Sequence, residues 1–287
     1  GAVVIKEAVR RAGLKPEQVD HVYMGNVIQA GLGQNPARQA SLKAGLPVTT
    51  PAVSINVVCG SGLNCVNMAA EMIIAGDADI VVAGGMESMS NAPYVLPHAR
   101  FGYRMNTPKD GLVDAMVHDA LWDAFNDYHM MITAENVADQ WGLTREELDA
   151  FAAASQNKAC AARDAGKFKD EMIPIIEHTR KKGDIIHDTD EHMIRGCNME
   201  TISKLRPVFN KDGVTTAANA SGINDAAAAV IVMSMDKAKE LGIKPMAKMM
   251  YICGKGVDPK YMGLGPAVAI PKCLDAAGVK FEDVDYW

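Results

Sequence analysis

The chain has 287 residues, of which 48% are hydrophobic and 22% charged, and its formal net charge at pH 7 is −6. This length and composition are ordinary for a globular protein with about two domains. The acidic balance gives no reason to expect a nucleic acid or an acidic membrane as partner. We identify no signal peptide and no apolar run of transmembrane length.

The sulfur-bearing residues indicate the compartment and the kind of site. Six cysteines are scattered along the chain without a C-x-x-C pair, at positions 59, 65, 160, 197, 253 and 273. This spacing argues against a disulfide framework and against a zinc site, so we predict a protein of the reducing cytoplasm without a bound metal. The chain also has 18 methionines, which suit both a core and a pocket for a flexible ligand.

The first 90 residues alternate between helical and strand-like patterns. Apolar residues at helical spacing predict helices over 3–12, 37–44 and 63–75, and β-branched runs predict strands over 19–28, up to Cys59 and over 79–83. The alternation predicts a layered α/β domain. Gly31-Leu32-Gly33 lies between a strand and a helix, but Pro36 stands where a dinucleotide loop has its third glycine, so we disfavour a nucleotide site.

The pattern changes from about residue 90 onwards. We predict short helices over 112–122 and 134–141, a long helix to about 165 that begins with the Thr144-Arg145-Glu146-Glu147 capping box, and strand-like residues over 172–190. This region is typical of an insertion, which on an α/β scaffold commonly carries the binding surface. Beyond it we predict a buried central strand over 224–234, a helix over 236–241, a strand over 247–253 and a helix over 266–277.

Cys59 is the main candidate for chemistry. The apolar stretch 54–58 ends at Cys59 and a helix follows, which predicts a strand, a sharp turn and a helix. A thiol at a helix N-terminus lies near unpaired N–H groups and the positive end of the dipole, and both favour the nucleophilic thiolate. Gly60 and Gly62 are expected to permit the tight turn and to leave space for a substrate. A structural cysteine before a glycine turn explains the same pattern, so both interpretations are open at this point.

Several motifs in one order resemble those of the thiolases, which make or cleave 3-ketoacyl-CoA. The resemblance covers nearly the whole chain and includes Val58-Cys59-Gly60-Ser61-Gly62-Leu63, Val82-Ala83-Gly84-Gly85-Met86-Glu87-Ser88-Met89-Ser90, Tyr128-His129-Met130, Thr133-Ala134-Glu135-Asn136, Asn219-Ala220-Ser221-Gly222 and Met262-Gly263-Leu264-Gly265-Pro266. It implies the α/β thiolase fold, with two duplicated layered α-β-α units and an inserted loop domain. The N-terminal domain would comprise 1–89 and 222–241, the loop domain that covers coenzyme A 90–221, and a partial C-terminal domain 242–287.

An internal repeat supports the duplication. Residues 12–20 recur as 277–285, each after an amphipathic helix, although chance similarity of a common helix–loop–strand unit is the alternative. The second copy stops where its strand should begin, so we expect the sequence to be a partial record that is truncated at both ends. The family's Gly-His-Pro and Cys-x-Gly motifs, whose histidine and cysteine would activate Cys59 and take a carbon-bound proton, are not found in the 287 residues.

The resemblance implies an acyltransferase that condenses two acetyl-CoA to acetoacetyl-CoA and CoA, reversibly, through an acetyl-Cys59 intermediate. Backbone N–H groups, including that of Cys59, would stabilise the oxyanion. CoA would be a substrate and no cofactor would be permanently bound. The alternatives are a degradative thiolase for longer 3-ketoacyl chains and a CoA-binding homologue without turnover; a β-ketoacyl synthase is disfavoured by the Cys59 and Gly84-Gly85-Met86-Glu87-Ser88 motifs.

Further contacts to coenzyme A are implied by the resemblance alone. His129 and Met130 would contact the acyl group and pantetheine, which favours a short substrate; Ser221 would hydrogen-bond pantetheine, and Arg195 would lie near the adenine and phosphate end. Without the family, a structural or surface histidine and a solvated arginine are the preferred explanations, and a turn serine explains Ser221 about as simply as a contact does. The weaker matches are Leu121, Thr201, Ala217 and Ala220. The segment 86–89 lies near the family's subunit interface, so a homo-oligomer, dimer or tetramer, is expected.

Overall fold

The computed structural model describes residues 1–103, 105 and 111–287. These residues divide into two units, Gly1–Leu121 with Asn224–Met250 and Trp122–Ile223 with Tyr251–Trp287. The helices are α1 Ala2–Arg11, α2 Pro36–Lys43, α3 Ser61–Ala75, α4 Met130–Trp141, α5 Arg145–Asp164, α6 Met199–Ile202, α7 Met235–Glu240 and α8 Gly265–Ala277. The strands are β1 His21–Gly25, β2 Ala52–Ile55, β3 Ile80–Ser88, β4 Tyr94–Val95, β5 Val113–Asp114, β6 Trp122–Asp123, β7 Tyr128–His129, β8 Ile175–Thr179, β9 Gly183–His187 and β10 Asp225–Met233.

A four-stranded sheet organises the first unit, in the order β10-β3-β1-β2. β1 pairs in parallel with β2 and with β3, and β10 runs antiparallel to β3 over nine residue pairs, from Asp225↔Ser88 to Met233↔Ile80. The parallel strands β1, β2 and β3 therefore end at the same edge of the sheet. The predicted α/β class is confirmed in this unit.

Alternating side chains divide the sheet into two buried faces. On one face, Val22 and Val82 pack against helices α1 and α2. Ile5 and Val9 are the buried residues of α1 in this layer. On the opposite face, Tyr23, Val81 and Ala83 pack against Cys65 and Ala69 of α3. This period of two along the strands gives three layers, with helices on both sides of the sheet.

Helix α3 is rich in apolar residues because one of its faces packs against the sheet. The segment 58–75 has the length and mean hydropathy of a helix that could cross a membrane, and 22% of it is buried. Its residues Cys65 and Ala69 are fully buried against β-strands of the same unit. The core helix of an α/β domain passes the same length and hydropathy test, so this segment is weak evidence for a membrane span.

Two sequence-based expectations are wrong, and a third, the helix over 112–122, is right only in part. Residues 247–253 do not form a strand, because no strand lies beside them among the described residues and an unpaired strand gains no ladder hydrogen bonds. The predicted helix over 112–122 is mostly a π-helical turn, Val117–Leu121, preceded by β5. β10 is an edge strand with several exposed residues rather than a buried central strand, because β3 is its only partner among the strands that the structure describes.

The second unit is built on α4 and α5, with two short hairpins. Strands β6 and β7 pair before α4, and β8 and β9 pair within the strand-like stretch predicted over 172–190. Thr144 caps α5 as predicted, since its side chain accepts from the Glu147 N–H while the Glu147 carboxylate accepts from the Thr144 N–H. A small core joins α5 to the segments beyond it and comprises Ala153, Cys197, Ile202 and Ala218. Positions 104 and 106–110 of the predicted insertion lie outside the described residues.

Candidate active site

Cys59 lies exposed in the turn between β2 and α3, as predicted. The strained position of this turn is Val58, whose φ of +54° is the left-handed conformation that a β-branched residue rarely adopts. Gly60 has ordinary right-handed backbone angles, so the expectation that glycine makes the turn is wrong at that position. The Val58 N–H donates to the Asn56 side chain at 2.9 Å, which helps to hold the strained residue in place.

Ser61 closes the turn from inside the unit. Its buried hydroxyl donates to the Val58 carbonyl at 2.5 Å and accepts from the Val57 N–H at 3.0 Å. Gly25, the last residue of β1, permits this packing, because an added Cβ would lie 2.8 Å from the Gly62 nitrogen and from the Ser61 Cβ. The first turn of α3 is thus pressed against the end of a strand, and the thiol of Cys59 is left facing outwards.

Cys65 provides an internal contrast to Cys59. It lies six residues further along, on the face of α3 that packs on the sheet, and it is fully buried. Burial raises the pKa of the Cys65 thiol to about 11. A thiol that stays protonated and inaccessible is a poor nucleophile, so of these two neighbours only Cys59 has the exposure that nucleophilic chemistry needs.

Glu87 organises the same edge of the sheet from the end of β3. Its carboxylate accepts from the Asn26 amide and the Val27 N–H, each at 2.8 Å, and from the Ile28 N–H at 3.3 Å. Since β1, β2 and β3 are parallel, these groups and the Cys59 turn lie at one edge, beyond the carboxyl ends of the strands. Loops at that edge are the usual place for a ligand in an α/β sheet.

In the second unit, His129 begins helix α4. Its Nδ1 accepts from the Met131 N–H at 3.1 Å, so the neutral ring carries its proton on Nε2. The ring stacks on Phe209 with 4.9 Å between centroids, and burial lowers the pKa of His129 below its ordinary value. His129 is therefore a neutral side chain with one N–H free of the cap, which can donate to an acyl or amide oxygen. Met130, the first residue of α4, is half-buried beside it.

Glu135 of α4 holds the loop that precedes the predicted pantetheine contact. Its buried carboxylate accepts from the Val214 N–H at 2.9 Å and from the Thr215 N–H at 2.7 Å. Gly213 allows this approach, because a Cβ there would lie 2.7 Å from the Glu135 Oε1. A carboxylate that accepts backbone N–H bonds in this way fixes a loop without regular structure.

Asn219 secures the other end of the same loop. Its side-chain amide donates to the Asp149 carboxylate and to the Val214 carbonyl, both at 2.9 Å, and its oxygen accepts from the Thr216 N–H at 2.7 Å. Asp149 is fully buried and also receives the Arg145 guanidinium at 2.7 Å. Helices α4 and α5 thus fix the segment 213–219 on which the predicted contacts Ala217, Ala220 and Ser221 depend.

The remaining predicted contacts have different surroundings. Ser221 and Ala217 are exposed, whereas Ala220 is half-buried. Thr201 is exposed in α6, and its hydroxyl donates to the Asn198 carbonyl at 2.9 Å. Leu121, in the first unit, is half-buried at the end of the π-helical turn.

Arg195 already has a carboxylate partner. Its guanidinium forms a bidentate ion pair with Asp164, with both N–O distances at 2.7 Å. This contact lowers the pKa of Asp164 and raises that of Arg195. A phosphate ligand at Arg195 would have to compete with that carboxylate.

Sequence reasoning overlooked the groups that position these residues. Glu135 and Asn219 stand inside motifs that resemble those of the family, yet the sequence indicated no role for either residue. Phe209 and Asp149 carried no local signal, because stacking and burial are long-range properties. In the part of the chain that the structure describes, no three histidine, cysteine or acidic side chains come together as metal ligands.

Comparison with known proteins places these features in a family. The model of the thiolase N-terminal domain matches residues 1–236, and that of the thiolase C-terminal domain matches residues 243–287. Proteins named acetyl-CoA acetyltransferase from Syntrophomonas wolfei and from Cupriavidus necator are 57% and 56% identical over 285 residues, which is 99% of this chain and 72% of each relative. A solved structure of acetyl-CoA acetyltransferase from Syntrophomonas wolfei superposes with a TM-score of 0.95 at 47% identity, covering 100% of this chain and 71% of that one.

Proposed function

This chain belongs to the thiolase family, and we propose that it is an acetyl-CoA C-acetyltransferase, which condenses two acetyl-CoA molecules to acetoacetyl-CoA and CoA in a reversible reaction. One observation carries the proposal: Cys59 is exposed in the turn just before α3, whereas Cys65 within that helix is buried. The names of the relatives, at 57% and 56% identity, support acetyl-CoA as the substrate.

The first half-reaction transfers an acetyl group to Cys59. The thiolate attacks the carbonyl carbon of acetyl-CoA, a C–S bond forms, and the carbonyl oxygen becomes an oxyanion that backbone N–H groups, including that of Cys59, stabilise. The intermediate collapses, the original C–S bond breaks, and CoA leaves as its thiolate. The strained Val58 and the hydrogen bonds of Ser61 hold the sulfur in position for this attack.

The second half-reaction forms a carbon–carbon bond. A base removes a proton from the methyl group of a second acetyl-CoA, and the resulting carbanion attacks the carbonyl carbon of acetyl-Cys59. Acetoacetyl-CoA forms and Cys59 leaves as a thiolate, ready for the next cycle. None of the residues assigned here supplies that base.

We assign the following contacts with coenzyme A. His129 donates from Nε2 to the acyl or pantetheine oxygen, with Met130 beside it, and Ser221 hydrogen-bonds pantetheine. Arg195 meets the phosphate end only if the ligand displaces Asp164. Coenzyme A takes part as a substrate, and the proposal includes no permanently bound cofactor. We also propose that the protein is a homo-oligomer and that it acts in the cytoplasm.

Intact-mass measurement after incubation with acetyl-CoA tests the covalent step. We expect a gain of one acetyl group in the unaltered chain and in Cys65→Ala, whose changed side chain is in the core, and no gain in Cys59→Ala. An acetyl adduct that persists in Cys59→Ala would overturn the assignment. Coenzyme A binding without any adduct would identify a homologue without turnover, and faster cleavage of longer 3-ketoacyl-CoA than of acetoacetyl-CoA would identify a long-chain enzyme.

A further inference from the structure

Two other thiols of the second unit lie in one interface. Cys253 belongs to an irregular segment, and Cys273 to helix α8. The Cys253 thiol donates to the Ala269 carbonyl at 3.4 Å, and the Cys273 thiol donates to the Tyr251 carbonyl at 3.9 Å. Each thiol therefore contacts the backbone of the segment that carries the other thiol, which places both sulfur atoms between this segment and α8.

The two side chains also influence one another electrostatically. Burial raises the pKa of the Cys273 thiol, and the neighbouring Cys253 raises it further. Both cysteines are reduced and half-buried, whereas Cys160 and Cys197 are buried. The mechanism proposed above for acyl transfer through Cys59 uses neither Cys253 nor Cys273.

We propose that Cys253 and Cys273 form a redox-active dithiol, which closes to a disulfide within the chain when the protein meets a peroxide. Hydrogen peroxide transfers one oxygen to the first sulfur, which gives a sulfenic acid and one water. The second thiolate attacks that sulfur, the S–O bond breaks, and the oxygen leaves as a second water. Two thiols and one peroxide thus yield one disulfide and two waters, with both sulfurs oxidised and the peroxide oxygens reduced.

The chemistry of this pair predicts its pH dependence. Only the thiolate attacks peroxide or a sulfenic sulfur at a useful rate. Since the raised pKa of Cys273 keeps its thiol protonated at neutral pH, closure becomes faster as the pH increases towards that pKa. The disulfide would fasten α8 to the segment that contains Tyr251, and a dithiol reductant such as dithiothreitol would reopen it.

Peptide mapping of the full chain tests the proposal. The protein is treated with hydrogen peroxide, blocked with N-ethylmaleimide and digested with trypsin without reduction. Cleavage after lysine places Cys253 in peptide 249–255 and Cys273 in peptide 273–280. We expect these two peptides to appear linked, with the loss of two hydrogen atoms, and to separate after dithiothreitol.

Single variants keep the experiment decisive. Cys253→Ser and Cys273→Ser should each abolish the linked species, while Cys160→Ser, a change at a buried cysteine elsewhere in the unit, should leave it unchanged. Phenylarsine oxide offers a second measurement, because one trivalent arsenic bridges two close thiols with release of water. We expect the Cys59→Ala variant to bind one molecule of the arsenical. We expect the double variant Cys59→Ala with Cys273→Ser to bind none, because it lacks one thiol of the pair. Independent labelling of both cysteines by N-ethylmaleimide after peroxide, with no linked peptide, would refute it.

Discussion

At the scale of single residues, Val58 adopts a conformation that its own side chain disfavours. A left-handed backbone costs a β-branched residue about 1 kcal/mol or more, whereas asparagine tolerates it. We therefore expect Val58→Asn to increase the free energy of unfolding by about 1 kcal/mol, measured by urea titration. Val57→Asn is the matched control, because Val57 is similarly exposed but has no left-handed backbone, and it should show no such gain. A larger loss of stability in Val58→Asn than in Val57→Asn would contradict the strain argument.

The lowered pKa of His129 predicts how stability depends on pH. In the unfolded chain this imidazole takes up a proton near pH 6.5, while in the folded protein burial delays protonation to lower pH. The unfolded state thus binds more protons between the two pKa values, so stability decreases as the pH falls through this window. Protonation of Nδ1 also removes the cap of α4.

His129→Asn tests this dependence because asparagine caps a helix and does not titrate. We will measure the free energy of unfolding by urea titration at several values from about pH 5 to pH 8. We expect this free energy to decrease less towards acidic pH in His129→Asn than in the unaltered protein. His178→Asn, at an exposed histidine of the β8–β9 hairpin, serves as the control for removing one imidazole. An unchanged pH profile in His129→Asn would show that this side chain does not contribute.

Residue by residue, a candidate nucleophile is easier to recognise in the sequence than the residues that support it. Cys59 could be recognised because its strand, its small neighbours and its helix are all local in the chain. Val58 could not, because nothing in a valine predicts a positive φ; the turn imposes it through Ser61 and Asn56. Glu135 likewise resembles any charged helical residue until the fold brings residues 213–215 to it.

At the scale of elements, the loop 213–219 depends on one buried carboxylate. Glu135→Gln removes the negative charge and places an amide NH₂ beside two backbone N–H groups. Even with the amide oxygen at the Oε1 position, the Val214 N–H keeps only its longer, 3.1 Å bond. We expect a loss of about 2 kcal/mol in the free energy of unfolding. If this loop presents Ser221 to coenzyme A, the KM for acetyl-CoA should also increase more than kcat falls.

The control for Glu135→Gln is Glu146→Gln, which makes the same chemical change at an exposed position in the first turn of α5. It should alter neither KM nor the urea midpoint appreciably. Equal effects of the two variants, or a fall in kcat alone for Glu135→Gln, would argue against a positioning role for the carboxylate.

Helices were predicted more reliably than strands for a physical reason. A helix satisfies its own hydrogen bonds, so local spacing and caps such as Thr144 suffice to identify α5. A strand exists only with a partner, so the apolar stretch at 247–253 could not reveal that no described strand lies beside it. The same limit applies to β10, whose apolar run indicated a strand but not its place at the edge of the sheet.

At the scale of the whole molecule, the first unit closes through a pairing that is distant in sequence. β3 and β10 are about 140 residues apart in the chain, yet they pair along nine residues and so join the two segments of the unit. The sequence indicated this return only as an apolar run after an insertion, and the antiparallel direction could not be derived from it. The close approach of the two strands depends on Gly84.

Gly84 and Gly85 are adjacent in β3 but differ in the space around them. A Cβ on Gly84 would overlap the Ala228 carbonyl oxygen and lie 2.9 Å from the Ala229 Cα, both of them backbone atoms of β10. A Cβ on Gly85 would meet nothing closer than the Gly62 Cα at 3.5 Å, which is ordinary contact. We expect Gly84→Ala to cost about 3 kcal/mol in the free energy of unfolding, because backbone cannot move aside as a side chain can.

Thermal unfolding followed by circular dichroism distinguishes the two substitutions. Gly84→Ala should lower the Tm of the whole first unit, because separating β10 from β3 releases the segment 224–250 from the chain that precedes it. Gly85→Ala should unfold close to the unaltered protein, since it adds the same methyl group to the same strand without a clash. Equal Tm values for the two variants would mean that the sheet relaxes around Gly84, and that the close approach of β10 is not what holds the unit together.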